Sequence, residues 1–181
     1  MKYWLLAILL LKGNFAHADS LSERLASFSG LKELHGNFSE IWTSSYLKTP
    51  LVSKGRLSYS APGNFRKLIE FPESIEQIIK ENRLYITRDS ETEIVQLSDQ
   101  GNVATGIYAL RDVLEGNESG LKARFSLKYS EANADWVLEL VPRVKQTAEM
   151  ITLKGKNNRI NRIHILYQNG DSLLTKISHK N

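Results

Sequence analysis

The chain has 181 residues, with 24 Lys and Arg against 20 Asp and Glu, a net charge of +4 and a pI near 9.2. Bases and acids alternate throughout and no Lys/Arg run exceeds two, so a nucleic-acid partner is not expected. There is no Cys, which excludes disulfides and a lipid-bearing cysteine after a leader.

The first 18 residues have the parts of a cleaved leader. Lys2 supplies the positive start, residues 3–11 (YWLLAILLL) form an apolar run of nine, and Ala16-His17-Ala18 is an A-x-A site before Asp19. The run is too short to cross a bilayer as a helix, and Lys12, Gly13 and Asn14 break it. The expected organisation is a signal peptide at 1–18 and one domain at 19–181, exported to the periplasm. Lys2 and Lys12 leave with the leader, so the remaining 163 residues carry +2, which suits a single domain.

The next segment reads as a helix. Ser20-Leu21-Ser22-Glu23 is a capping box, and Leu21, Leu25, Phe28 and Leu31 fall on one stripe at a 3.6-residue period, with Gly36 as the expected stop. Residues 37–47 then alternate as a strand, with Phe38, Glu40 and Trp42 on one face, and residues 46–53 read as a loop around Pro50.

Residues 54–74 read as strand, turn, strand. Leu57 and Tyr59 alternate with Arg56 and Ser58, Ala61-Pro62-Gly63-Asn64 is turn chemistry, and Phe65, Lys67, Ile69 and Phe71 alternate with Arg66, Leu68 and Glu70 until Pro72. Three short strands follow at 75–79, 83–88 and 93–97, in which Leu84 and Ile86 share a face. Strands every eight to twelve residues without long helices between them predict an antiparallel meander.

The meander is then interrupted. Residues 102–116 have helical spacing, with Ile107, Leu110, Val113 and Leu114 in a stripe and Gly116 as a stop. An amphipathic helix inserted between strands must lie across a face of the sheet. Strands resume from Leu121, where Ala123, Phe125, Leu127 and Tyr129 alternate with Lys122, Arg124, Ser126 and Lys128. Trp136, Leu138 and Leu140 precede Pro142, and three more strands follow at 150–154, 159–167 and 172–178. Their turns are expected at Gly155-Lys156-Asn157 and at Asn169-Gly170, giving about ten strands.

This order resembles the outer-membrane lipoprotein carrier family, the LolA/LolB-type proteins. The residues that carry the resemblance are the central hairpin with its x-Pro-x-x-Phe-Arg element, the Asp135-Trp136-x-Leu138-x-Leu140-x-Pro142 strand and the terminal Asn169-Gly170-Asp171 hairpin. Asp19 in place of Cys favours the soluble carrier branch. The resemblance implies a mainly β fold: one curved antiparallel sheet forming an open half-barrel, an N-terminal helix, and an inserted helical lid over an apolar concave face. It implies that Phe38, Trp42, Leu57, Tyr59, Phe65, Phe71, Leu84, Ile86, Phe125 and Leu127 line a lipid cavity, and that Ile107, Leu110, Val113 and Leu114 form the lid's inner stripe. It further implies a monomer that takes an acylated lipoprotein or another lipid from an inner-membrane donor to an outer-membrane acceptor. Two departures stand out. The family's clasp Arg before the hairpin Pro is Ala61 here, and Lys67 stands where an aromatic commonly follows Phe-Arg. The clasp is therefore expected to be missing, and a free lipid or acylated pigment fits as well as a lipoprotein.

No motif for nucleophilic, zinc or phosphate chemistry is present. His35, His164 and His179 are scattered, and His17 leaves with the leader. Glu40 and Glu70 lie on strands, where either can face the concavity, and Asn117-Glu118-Ser119 fits N-x-S. The expectation is a non-enzymatic carrier with no metal and no cofactor. The alternatives are a lipid-sensing module of envelope stress or regulation, and an enzyme without a recognisable motif acting on an apolar substrate.

Overall fold

The computed structural model describes residues 21–144 and 148–179. The leader expected at 1–18, its cleavage site and Ser20 of the capping box lie outside the described residues. Helix α1 (Leu21–Ser29) is followed by six strands: β1 (Glu33–Thr43), β2 (Leu51–Ser60), β3 (Asn64–Phe71), β4 (Ile75–Lys80), β5 (Arg83–Arg88) and β6 (Glu91–Gln96). A 3-10 turn (Leu97–Gln100), α2 (Gly101–Leu114) and α3 (Glu118–Arg124) form the insertion. Five more strands complete the chain: β7 (Phe125–Ala132), β8 (Asp135–Pro142), β9 (Ala148–Lys156), β10 (Arg159–Tyr167) and β11 (Ser172–His179).

All described strands join one antiparallel sheet in the order β6-β5-β4-β3-β2-β1-β11-β10-β9-β8-β7. It is two meanders zipped together by the pairing of β1 with β11, and it stays open because its edges, β6 and β7, do not pair. The insertion joins those two edge strands, so it must cross from one edge to the other over one face of the sheet. That topology makes the helices a cover. The mainly β class, the open sheet, the N-terminal helix and the helical insertion are all as expected from the sequence.

Turn chemistry sets the hairpins. Asn133 and Ala134 both take positive φ (52° and 67°) in the two-residue β7–β8 connection, the left-handed pair that matches strand twist. Gly170 (φ 83°) does the same work in the last hairpin, where Asn169 Oδ1 accepts from the Asp171 amide at 3.1 Å.

Several local expectations are corrected. Helix α1 ends at Ser29, and Gly36 lies within β1, where a Cβ would come 2.9 Å from the Ser178 carbonyl oxygen. That close approach of β11 explains the glycine. The loop after β1 is shorter than expected, since pairing resumes at Leu51 opposite Trp42. Leu97 belongs to the 3-10 turn, and its full burial explains its strand-like hydrophobicity. Leu121, Lys122, Ala123 and Arg124 are helical, because Asn117 caps α3 by accepting from the Gly120 amide at 3.0 Å. Gly155 sits inside β9, where it leaves room for the Trp136 ring. The strands number eleven among the described residues.

Candidate functional site

Register decides which side chains meet. On the inner face an unbroken apolar row crosses six strands, each residue directly opposite the next: Leu34, Tyr59, Phe65, Ile79, Leu84 and Val95. The second meander supplies Ile165, Ile151, Leu140 and Leu127 in one such row, with Ile163, Leu153, Leu138 and Tyr129 in the next. Tyr59 and Phe65 touch, with ring centroids 5.2 Å apart.

Helix α2 lies along these rows. Its Val113 and Leu114 are buried in one cluster with Tyr59, Phe125, Trp136 and Ile151, against which Leu110 also packs. Ile107 packs instead against the cluster of Ile79, Leu84, Leu97 and Ala104. One helix therefore straddles both halves of the sheet. Its small residues let the backbone approach closely: Ala109 is fully buried, and a Cβ at Gly106 would come 3.2 Å from Ile165 Cδ1. Helix α1 adds Leu25 and Phe28, with the Phe28 ring edge-on to Trp136 at 5.8 Å.

The cover is braced within itself. Asp112, nearly sealed from solvent, is held by the Arg124 guanidinium and by Asn117 Nδ2 at 2.8 Å, which locks α3 to α2. Arg24 does the same for α1, pairing with Glu131 on β7. Towards the sheet rim the tie is lighter. Arg111 Nη2 donates to the carbonyl of Gly63 in the β2–β3 turn at 3.2 Å and to that of Glu81 between β4 and β5 at 3.3 Å. The buried Arg111 Nε has no hydrogen-bond partner, while the Tyr59 hydroxyl lies by the Gly63 backbone. The arginine that ties helix to hairpin thus sits on the helix and reaches down to the turn beside Ala61.

Beyond the covered rows the inner face becomes polar. Lys67 Nζ crosses the Phe38 ring at 4.9 Å and reaches Glu40 Oε1 at 2.6 Å, while Thr175 Oγ1 donates to Glu40 Oε2 at 2.8 Å. Both ends of the ion pair are largely shielded, at 23% and 14% side-chain exposure. Beside it Trp42 stacks on Tyr167 at 5.3 Å. Burial first, then the carboxylates of Glu40 and Asp171, push the Tyr167 phenol up to about 12. Burial first, then the bond to Glu131, does the same to Tyr129, also to about 12. Of the two strand acids, Glu40 faces inward and Glu70 faces outward to Arg56 at 2.8 Å.

The sequence-derived lining residues can now be placed. Phe38, Trp42, Leu57, Tyr59, Phe65, Leu84, Ile86, Phe125 and Leu127 all share the inner face by register. Phe71 lies past a register shift in the β2–β3 ladder and is half exposed. Ile107, Leu110, Val113 and Leu114 all pack against the two apolar clusters, Val113 and Leu114 as core residues and Ile107 and Leu110 only partly buried. Sequence reading did not single out Arg111 or Thr175. A signal existed for the first: Arg111 is the one cation in α2 and sits inside its apolar stripe. The histidines do not converge: His35 is exposed beside Glu33, His164 lies on the outer face and His179 bonds the Ile160 carbonyl. Among the described residues no group of three acids or histidines is placed to hold a metal.

No protein-family model and no curated protein matches the sequence. Among solved structures, a LolA superfamily protein from Nitrosomonas europaea aligns over 89% of this chain and 92% of its own, at 14% identity and a TM-score of 0.49. The lipoprotein LppX of Mycobacterium tuberculosis aligns over 86% and 89%, at 8% identity and a TM-score of 0.46. The MucA/MucB complex of Pseudomonas aeruginosa aligns over 89% of this chain and 56% of that one, at 14% and 0.47. These are distant likenesses, and the reading of the site rests on this chain's own residues.

Proposed function

We propose that the protein is a periplasmic, non-enzymatic carrier that shields acyl chains between the inner face of its sheet and helix α2. The observation that carries this reading is the covered apolar row. A cover fastened to the rim through Arg111 lies on a continuous apolar face.

The energetics suit reversible binding. A buried methylene contributes about 0.8 kcal/mol, so one sixteen-carbon chain would gain about 12 kcal/mol gross. Release is possible because the empty cover buries its own stripe, so cargo must displace α2 from Tyr59, Phe65 and Leu84. The Glu40–Lys67 pair lies at the polar margin of this face, where a lipid's ester or amide end would meet it. Cargo is thus an acylated molecule with a polar head, an acylated lipoprotein or a related lipid, passed between an inner-membrane donor and an outer-membrane acceptor.

Phe65→Glu tests the reading. Its carboxylate would stand in the centre of the apolar row with no partner, which an apolar site tolerates only by staying wet or by becoming neutral. Titration with a fluorescent fatty acid is expected to show saturable binding by the wild-type chain and at least tenfold weaker binding by the variant. Circular dichroism is expected to show the sheet intact. A folded variant with wild-type affinity would remove the inner face as the binding site.

A further inference from the structure

The outer face carries a feature that acyl binding does not use. Register sets Lys154 directly opposite Arg162, and Arg162 directly opposite Lys176. Lys176 in turn faces Ser39, and Ser39 faces Lys54. Four cations thus stand in one row across five strands, with adjacent strands about 4.8 Å apart. All four are exposed, and none makes an ion pair or side-chain hydrogen bond among the described residues. Elsewhere on the same face four cations are answered by acids: Arg56 by Glu70, Arg66 by Glu76, Lys128 by Glu139 and Lys156 by Asp135, while Lys80 and Arg83 form one further unanswered pair between β4 and β5. Like charges directly opposite one another destabilise a sheet, so the row costs stability in the free protein, and an anionic surface would remove that cost.

A second observation lies at one end of the sheet. Of nine large apolar side chains that are exposed among the described residues, seven lie at one end of the strands, five of them where β1 and β3 end and β2 begins and two at the end of β8, four strands from β1. The β1–β2 connection and the start of β2 present Tyr46 (87% exposed), Leu47, Leu51 and Val52; β3 ends on Phe71, Val141 is next to last in β8, and Val144 (70% exposed) follows that strand. Lys48 lies within the first group in sequence and Lys54 just after it, and Lys54 pairs with Phe71. Apolar tips at this end, with a row of unanswered cations leading away from Lys54 across the outer face to Lys154 near the β9–β10 turn, match the two layers of a bilayer surface met obliquely, headgroup phosphates above acyl chains. An acidic polypeptide would answer the cations and leave the apolar end uncovered.

We propose that this end and the adjoining outer face dock obliquely on an anionic lipid bilayer, with the Tyr46 and Val144 tips in the interfacial layer and the cation row over the headgroups. Docking is peripheral, since no described helix is long and apolar enough to cross a membrane. It is independent of what the inner face binds. Co-sedimentation of the chain from Asp19 onward, which holds every described element, with phosphatidylcholine vesicles containing or lacking phosphatidylglycerol tests it. Binding is expected on the anionic vesicles, weakened by added salt, and at least tenfold weaker on neutral ones. Each membrane-proximal cation contributes about fivefold in affinity, so Lys154→Gln/Arg162→Gln/Lys176→Gln should lose about a hundredfold while its melting temperature holds or rises. Tyr46→Ser/Val144→Ser should lose affinity with the row intact, and Phe65→Glu should sediment like wild type. Equal binding to both vesicles, no binding to either, or an unaffected triple variant would overturn the proposal. Capture by polyglutamate without capture by vesicles would overturn it too, and would assign the row to an acidic polypeptide. Loss of vesicle binding with fatty-acid binding retained counts against docking alone and leaves the carrier reading standing.

Discussion

At the scale of single residues, two positions explain how the site is held. Gly63 takes φ +60°, and a Cβ there would come 2.6 Å from Arg111 Nε, so the hairpin turn accepts the helix arginine only because it has no side chain. Left-handed backbone at a residue with a Cβ costs about 1–2 kcal/mol before any contact is counted. Gly63→Ala and Arg111→Ala should therefore act alike: both loosen the cover, with a stability loss of about 1–2 kcal/mol for a partly exposed charged hydrogen bond. Hydrogen exchange at the α2 amides is the readout. Faster exchange there, with β8 to β10 unchanged, is expected; unchanged exchange in α2 would mean that Arg111 does not hold the cover. Lys67 is the other instructive residue. It pairs with Glu40 across the Phe38 ring, and so places a shielded ion pair within an otherwise apolar face. Such a pair stabilises little against an apolar replacement of both partners, and losing one partner alone is costly.

At the scale of elements, α2 combines core and cover. Leu114 is 4% exposed inside the main cluster, and Leu114→Ala is expected to cost about 2–4 kcal/mol in thermal or denaturant unfolding. Leu110 is only partly buried, and Leu110→Ala should cost about 1 kcal/mol while weakening fatty-acid retention severalfold. A Leu110 variant with a large thermal loss and unchanged retention would make α2 a plain structural helix. The elements also mark how far the sequence could be read. Strand positions were legible because the period-2 alternation of Leu57, Tyr59 and Phe65, or of Trp136, Leu138 and Leu140, follows from one buried face. The α2 stripe was legible for the same reason at a 3.6-residue period. Helix α3 was not, since Leu121, Ala123 and Phe125 also fit a strand, and the Asn117 cap that makes them helical looked like an N-x-S pattern. Pairing of β1 with β11 is likewise invisible to local periodicity, as are the Arg111 tie and the Thr175 bond to Glu40, which join residues 135 positions apart.

At the scale of the whole molecule, the closed cover and the two tyrosines near the sheet's inner carboxylates link stability to pH. Tyr129 and Tyr167 are raised in the folded state from 10 to about 12. A raised phenol contributes stability that is fully present below pH 10 and is lost as pH climbs through 12. The melting temperature should therefore fall above pH 10, together with tyrosinate absorbance. Ionisation of these phenols near pH 10 without unfolding would show that they are not shielded as described. The central claim is that acyl chains enter between α2 and the apolar row. It is tested most directly by irradiating the protein with a diazirine-bearing sixteen-carbon fatty acid and mapping the labelled residues by mass spectrometry. The expected labels fall on Tyr59, Phe65, Leu84 and the Ile107 to Leu114 stripe, and excess palmitate removes them. Labels confined to the outer face or to the exposed Tyr46 end, or labels that palmitate does not displace, would contradict it.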